Sequence, residues 1–450
     1  MRLASDWTPR LAEGPGTISE RLSAALSEDI LSGQLPVGAR LPPYRSLAHS
    51  LKTSVVTVGR AYATLERQGL VRGEHGRGTF VAMPTTRVDT GEVDLSLNLP
   101  PPILPDQTYA QGVAELVRRG GLPDPSRYPP CGGWPEHRVA AAAWLARGRF
   151  VVPPEDLILT NGAQQAISVA VTSLLAKGGV MLSEQATYPG ALVSARSLGI
   201  PVVGVASDAE GLLPDAIEAH CRDVDAKVIY VVPSLHNPTG TTMGMERRMA
   251  LAEVARRYDL QIIEDDVYWA LLDDPPPPIR TMAPERTWYL NSFSKSVSAV
   301  LRLGFLVPPR DRVDQATATL QGQSWTANPF SGTLLYQWLS DGTADEALQA
   351  MRQEAAARIT LARGLLPEYI SPTHRALHLW IPMAETQAER VVRRALERDV
   401  RLTPPTAPLV IPGQGCGVRI CLGGPRTRQE LEQGLRRMRT VLDSDLEAVF

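Results

Sequence analysis

The chain predicts an α/β protein in two parts, a small helical unit ending in a two-stranded wing and a large, mostly parallel sheet flanked by helices. Three observations predict it. Beyond about residue 94, short aliphatic and β-branched runs alternate with longer amphipathic ones, the rhythm of strand–helix units. Before residue 84 the apolar period is helical, broken by turn residues, and closes on two strand-like runs around a glycine turn. Between the two, PTTRVDTGEV (84–93) is polar, breaker-rich and aperiodic, and reads as a linker. The expected division is 14–83, 84–93 and 94–450.

In the first part, residues 17–31 place Ile18, Leu22, Ala25, Leu26 and Ile30 on one helical face, and Ser32-Gly33 ends the helix. A short helix follows over 44–51. Ser54 is placed to cap a further helix carrying Val55, Val58, Ala61, Tyr62 and Leu65. Strand signals at Leu70-Val71 and TFVAM enclose the turn GEHGRG. Helix, helix, turn, helix and wing make a winged helix-turn-helix. Charge supports a polyanion partner here: the chain carries −2 overall, whereas 38–83 holds seven basic and two acidic residues, a net charge of +5.

The segments ILSGQLPVGARLPPYRSLAHSL and TVGRAYATLERQGLVRGEHGRGTFV resemble the GntR-type DNA-binding domain. The resemblance implies a double-stranded DNA operator as partner. It places Arg45 on a backbone phosphate, Ser54 and Thr57 at the start of the recognition helix beside Arg60, and His75, Gly76 and Arg77 in the wing. Hydroxyls, helix N-terminal N–H groups and arginine all suit phosphate or base edges. Many relatives carry Arg where this chain has Val55, so base preference does not carry over.

In the large part, ligands of a parallel sheet gather beyond the carboxyl ends of its strands. The chemistry-bearing residues stand there in order. Gly162-Ala163-Gln164 follows LILTN and opens a helix, leaving N–H groups free for an anion. Tyr188 follows VMLS, where it can stack on a flat ring. Asn237, in NPTG, follows VIYVVPS. Asp265 and Tyr268 follow QIIE, a carboxylate and a hydroxyl within one turn. Lys295 sits in NSFSKSVSAVLRLG with Ser292, Ser294 and Arg302, and Arg419 lies in GVRICLGG. A desolvated lysine forms a Schiff base, while serine hydroxyls and a guanidinium hold a phosphate dianion. Pyridoxal 5'-phosphate (PLP) needs both.

Over 94–450 the constellation resembles fold-type I PLP enzymes of the aspartate aminotransferase group. That resemblance implies a large PLP-dependent transferase domain with a smaller C-terminal α+β subdomain. It makes Lys295 the residue that bonds PLP covalently and shuttles protons, and sets Asp265 on the pyridine nitrogen. Asn237 and Tyr268 would contact the ring hydroxyl and Tyr188 the ring face. The Ala163 and Gln164 amides, Ser292, Ser294 and Arg302 would take the phosphate, and Arg419 a substrate or effector carboxylate. Tyr128, in RYPPCGGWPEHR, matches a tyrosine that reaches the neighbouring subunit's phosphate, which implies a homodimer.

A GntR-type head on an aminotransferase-like body resembles the MocR/GabR group of bacterial transcriptional regulators. It implies a regulator sensing an amino-acid-like or amine effector through aldimine exchange at Lys295. The rival is a working aminotransferase with a fused DNA-binding head. Composition bounds the setting. MRLASDWTPR has no apolar leader core, and no stretch of about twenty apolar residues is free of charges or breakers. Cys131, Cys221, Cys416 and Cys421 lack metal or disulfide spacing, so no metal is expected and a reducing cytoplasm fits.

Overall fold

The computed structural model describes residues 11, 16–31, 34–36, 38–67, 70–74, 78–82, 91–124, 126–147, 150–371 and 373–447. Helices α1 (Ile18–Leu31), α2 (Tyr44–Ser50) and α3 (Val55–Arg67) precede the antiparallel wing strands β1 (Val71–Glu74) and β2 (Gly78–Val81). Leu22, Leu26, Leu47, Val58, Ala61, Tyr62, Leu65 and Val81 form their common core. Ser54 Oγ accepts from the Thr57 N–H at 3.1 Å and starts α3, as its position before the apolar run predicts. Val55 departs from the expected apolar face and is 47% exposed. It lies on the first turn, where the stripe set by Val58, Ala61, Tyr62 and Leu65 has not begun to face the core.

The body opens with β3 (Val93–Asp94), α4 (Asp106–Arg118) and α5 (Pro135–Ala146). Then strands and helices alternate: β4 (Ile158–Thr160), α6 (Ala163–Leu175), β5 (Val180–Glu184), α7 (Pro189–Ser197) and β6 (Val202–Val205). A small hairpin, β7 (Ser207–Asp208) and β8 (Gly211–Leu212), leads to α8 (Pro214–Asp223) and β9 (Ala226–Val231). Next come α9 (Met245–Arg257), β10 (Gln261–Asp265), β11 (Thr287–Ser292) and β12 (Gly304–Val307).

Seven strands form the main sheet in the order β4-β12-β11-β10-β9-β5-β6. Only β12 runs antiparallel to its neighbours. Strands buried on both faces are expected to be apolar throughout, and β11 and β12 are buried at every position. Helix α6 lies across the sheet with Ala166, Ile167, Val169, Ala170 and Val171 at 0% exposure. Its small residues let it come close. Gly162 and Gly304 serve the same end: Gly162 has φ +78°, and a Cβ on it would stand 2.8 Å from the Arg302 guanidinium. A Cβ on Gly304 would stand 2.7 Å from the Asn291 carbonyl oxygen.

Three helices, α10 (Val313–Ser324), α11 (Pro329–Asp341) and α12 (Thr343–Leu365), lead to a C-terminal α+β layer. There β13 (His378–Pro382) pairs antiparallel with β15 (Gly417–Cys421). α13 (Glu385–Leu396), β14 (Val400–Arg401) and α14 (Arg428–Glu447) complete it. β14 takes β3 as a parallel neighbour, so the chain leaving residues 84–90 is bound to this layer at once. Among the described residues no helix is long and apolar enough to cross a membrane.

Candidate functional site

The carboxyl ends of β4, β5, β9, β10 and β11 open on one cavity of about 380 Å³. Its wall includes Ala163, Gln164, Tyr188, Asn237, Asp265, Tyr268, Ser292, Ser294, Lys295, Arg302 and Arg419, residues spread over 257 positions of the chain. Every residue proposed from the sequence for cofactor or carboxylate binding is therefore gathered there, except Tyr128. That ring is 85% exposed and lies against Trp325, with centroids 5.7 Å apart.

One end of the cavity gathers groups that suit an anion. Ser292 Oγ and Ser294 Oγ are 2.9 Å apart, and Arg302 Nη1 donates to Ser294 Oγ at 3.3 Å. Arg302, held at φ +48°, also stands against Gly162 at the start of α6. A guanidinium, two hydroxyls and the exposed N–H groups of a helix start converge.

At the floor, Asp265 ends β10. Strand alternation sends Asp265 into the cavity and Asp266 away from it, where Asp266 accepts from Tyr289 Oη at 3.4 Å. Asp265 Oδ2 accepts from Tyr230 Oη at 2.7 Å, while buried Oδ1 has no hydrogen-bond partner among the described residues. Burial raises the Asp265 pKa to about 6, held back by the Tyr230 hydrogen bond. At neutral pH it is a carboxylate with one oxygen available to a buried cationic N–H, which is what a pyridinium nitrogen supplies. Tyr188 lines the cavity beside it and donates to Gln164 Oε1 at 3.1 Å, which holds its ring.

Lys295 lines the cavity and is half-buried. Burial lowers its pKa to about 8, with Arg419 and Arg302 pushing the same way and Cys421 and Asp265 opposing. Its Nζ donates to the Asn98 backbone carbonyl. Arg419, on β15, is 7% exposed. It donates to Asn237 Oδ1 at 2.8 Å, the Ser96 carbonyl at 3.0 Å and Thr403 Oγ1 at 2.9 Å. Among the described residues no carboxylate pairs with it, and its buried Nε has no partner. A buried cation held only by neutral acceptors suits an incoming carboxylate. The donor set therefore fits PLP and a carboxylate-bearing amine together.

Three side chains that the motifs did not flag belong to this site: Tyr230, Asn98 and His378. Tyr230 carried a signal, being the one polar-tipped residue of the run VIYVVP. Asn98 and His378 carried none.

In the head, Arg45 on α2 and Arg60 on α3 are exposed, as is Ser54, and Thr57 is partly buried. Ser54 Oγ and Thr57 Oγ1 lie 2.8 Å apart at the start of α3. His75, Gly76 and Arg77 lie outside the described residues.

Comparison with known proteins gives two family matches, aminotransferase class I and II over residues 110–438 and bacterial regulatory proteins of the gntR family over 18–81. An uncharacterized HTH-type transcriptional regulator of Bacillus subtilis, YdeF, is 27% identical, with 97% of each chain covered. The HTH-type pyridoxine biosynthesis transcriptional regulator PdxR of Corynebacterium glutamicum is 26% identical over 86% of this chain and 88% of its own. Among solved structures, the α-aminoadipate aminotransferase LysN of Thermus thermophilus, complexed with N-(5'-phosphopyridoxyl)-L-leucine, matches with a TM-score of 0.72 and 25% identity. It covers 80% of this chain and 94% of that one.

Proposed function

The chain belongs to the PLP-dependent aminotransferase class I and II family and carries a gntR-family DNA-binding domain at residues 18–81; from this we propose that it is a transcriptional regulator sensing an amino compound. The working division is 14–83 for DNA, 84–93 for the linker, whose last residues, 91–93, are already tied to the C-terminal layer, and 94–450 for cofactor, effector and dimerisation. A homodimer acting in the cytoplasm presents two heads, so the DNA site has two parts. When bound, PLP supplies an aldehyde for an amine and an electron-withdrawing ring. Lys295 would hold the aldehyde carbon, Asp265 the ring nitrogen, Tyr188 the ring face, and Asn237 and Tyr268 the ring oxygen. The Ala163 and Gln164 N–H groups with Ser292, Ser294 and Arg302 would hold the phosphate. Tyr128 of one subunit would reach the other's phosphate, and Arg419 would take the effector's carboxylate.

The observation that carries the sensing reading is the strap of residues 91–100. Its upstream end is tied to the C-terminal layer: Arg437 donates to the Gly91 carbonyl at 2.8 Å, and Leu95 N–H donates to the Arg401 carbonyl at 2.9 Å. One and three residues past Leu95, the Ser96 carbonyl accepts from Arg419 and the Asn98 carbonyl accepts from Lys295. A carboxylate on Arg419 competes with Ser96, and an amine that takes the place of Lys295 changes what holds Asn98. Both events act on the segment that continues into the linker and the head. Such differential contact is what a ligand needs to shift a two-state arrangement.

One observation favours a second reading, a working aminotransferase. A lysine amine with a pKa of about 8, enclosed beside Asp265, suits a proton carrier near neutral pH. The discriminating experiment uses the PLP-loaded protein and DNA from upstream of its own gene, at fixed salt, with a panel of amino acids and amines. Sequence-specific binding that one amine shifts supports the regulator. No specific binding, together with steady transamination at about 1 s⁻¹ or faster, contradicts it. Arg45→Ala is expected to weaken binding on every DNA sequence and to reduce the salt slope by about one, read from affinity at several salt concentrations. An unchanged slope removes Arg45 from the phosphate backbone.

A further inference from the structure

The Asn98 amide lies between His378 and the Tyr268 hydroxyl. Asn98 Nδ2 lies 2.9 Å from Tyr268 Oη and 3.1 Å from His378 Nδ1. His378 Nε2 lies 2.9 Å from the His236 carbonyl oxygen. His378 stands at the start of β13 with no exposed surface. A carbonyl oxygen only accepts, so His378 Nε2 carries the proton and Nδ1 is the acceptor. Burial lowers the His378 pKa to about 3, which keeps the ring neutral and the tautomer fixed at ordinary pH. An Nδ1 acceptor must face the NH₂ of Asn98, because the flipped amide would set oxygen against a bare ring nitrogen. One Asn98 N–H then goes to His378 and the other to Tyr268 Oη. The Tyr268 oxygen accepts, and its own proton is left to donate into the cavity that Tyr268 lines with Lys295.

We infer that Asn98 and His378 are positioning residues that fix the Tyr268 hydroxyl as a hydrogen-bond donor to the ring oxygen of the bound cofactor. The inference rests on the reading of the cavity as a PLP site. The other groups facing Tyr268 are Tyr188, Asp265, Arg419 and Cys421, with Lys295 Nζ 5.9 Å from its ring centre. A donor at the ring oxygen stabilises that oxygen's anion, and does so most once the adjoining lysine linkage has lost its proton. Loss of the donor therefore raises the pH at which the visible absorbance of the PLP-loaded protein changes.

The test is a spectrophotometric pH titration of four PLP-loaded proteins: wild type, Asn98→Ala, Tyr268→Phe and the double variant. Asn98→Ala keeps the backbone carbonyl that accepts from Lys295 and removes only the amide. It is expected to raise the midpoint by about half to one pH unit, the effect of one hydrogen bond. Tyr268→Phe is expected to raise it too, and Asn98→Ala to add nothing in that background. An unchanged midpoint in Asn98→Ala, or an equal shift with and without the Tyr268 hydroxyl, overturns the inference. Should Asn98→Ala not fold, His378→Phe reads the same coupling under the same criteria. A wild-type protein that takes up no PLP would sink the cofactor reading instead, so the two failures are distinguishable.

Discussion

Lys295→Ala is expected to abolish covalent, borohydride-reducible attachment of PLP while leaving the fold intact. Lys295 lines the cavity with Asp265, Arg302 and Arg419, and among the described residues no other lysine does. Removing a buried amine whose charged form is already disfavoured costs little stability, and the Asn98 carbonyl that loses its donor lies beside the remaining polar groups. Reducible PLP in the variant would place the linkage elsewhere. The pH dependence has a definite sign. The neutral amine is the reactive form, and burial brings its pKa from the ordinary 10.5 to about 8. Covalent uptake of PLP by the cofactor-free protein is therefore expected to accelerate with pH through about 8 and to level off above. A rise centred near 10.5 would mean a solvated lysine.

Arg419→Ala carries the second large effect. The guanidinium is buried on β15 and held by Asn237, Ser96 and Thr403, all neutral acceptors. Removing one partner of a buried charge pair costs about 2–5 kcal/mol, or roughly 30-fold to a few thousand-fold in affinity. The amine that shifts the cofactor spectrum of the wild type is expected to bind the variant that much more weakly, with PLP uptake unchanged. Arg419→Lys keeps the charge and loses the fork, so it should recover only part of the affinity. Equal amine affinity in wild type and Arg419→Ala would show that the effector's carboxylate, if it has one, sits elsewhere.

Much of this site could be read from residue order. Gly162-Ala163-Gln164, Tyr188, Asn237, Asp265 and Lys295 each follow a strand-like run, and a parallel sheet carries such residues to one edge. Arg302 was legible beside Lys295 because the same loop holds both. Asn98 and His378 were not legible. Asn98 lies 170 positions from Tyr268 and 280 from His378, and the three come together only because the fold brings the strap, β13 and the turn after β10 to one place. No local spacing records that packing. The head shows the converse limit. Its apolar period located α3, yet Val55 at the first turn is exposed, because periodicity gives the stripe and not the residue at which the helix meets the core.

For a regulator, occupancy of the Lys295–Arg419 cavity and DNA binding by the head are one linked equilibrium. The direct measurement is an absorbance titration of the PLP-loaded protein with its amine, in the absence and presence of saturating operator DNA. Linkage requires the amine's affinity to change by the same factor by which the amine changes DNA affinity, about 5- to 150-fold for ordinary coupling. That matched shift is the expected result, together with its disappearance in Lys295→Ala. An amine affinity identical with and without DNA would contradict it, and the head and the cavity would then work independently on one chain.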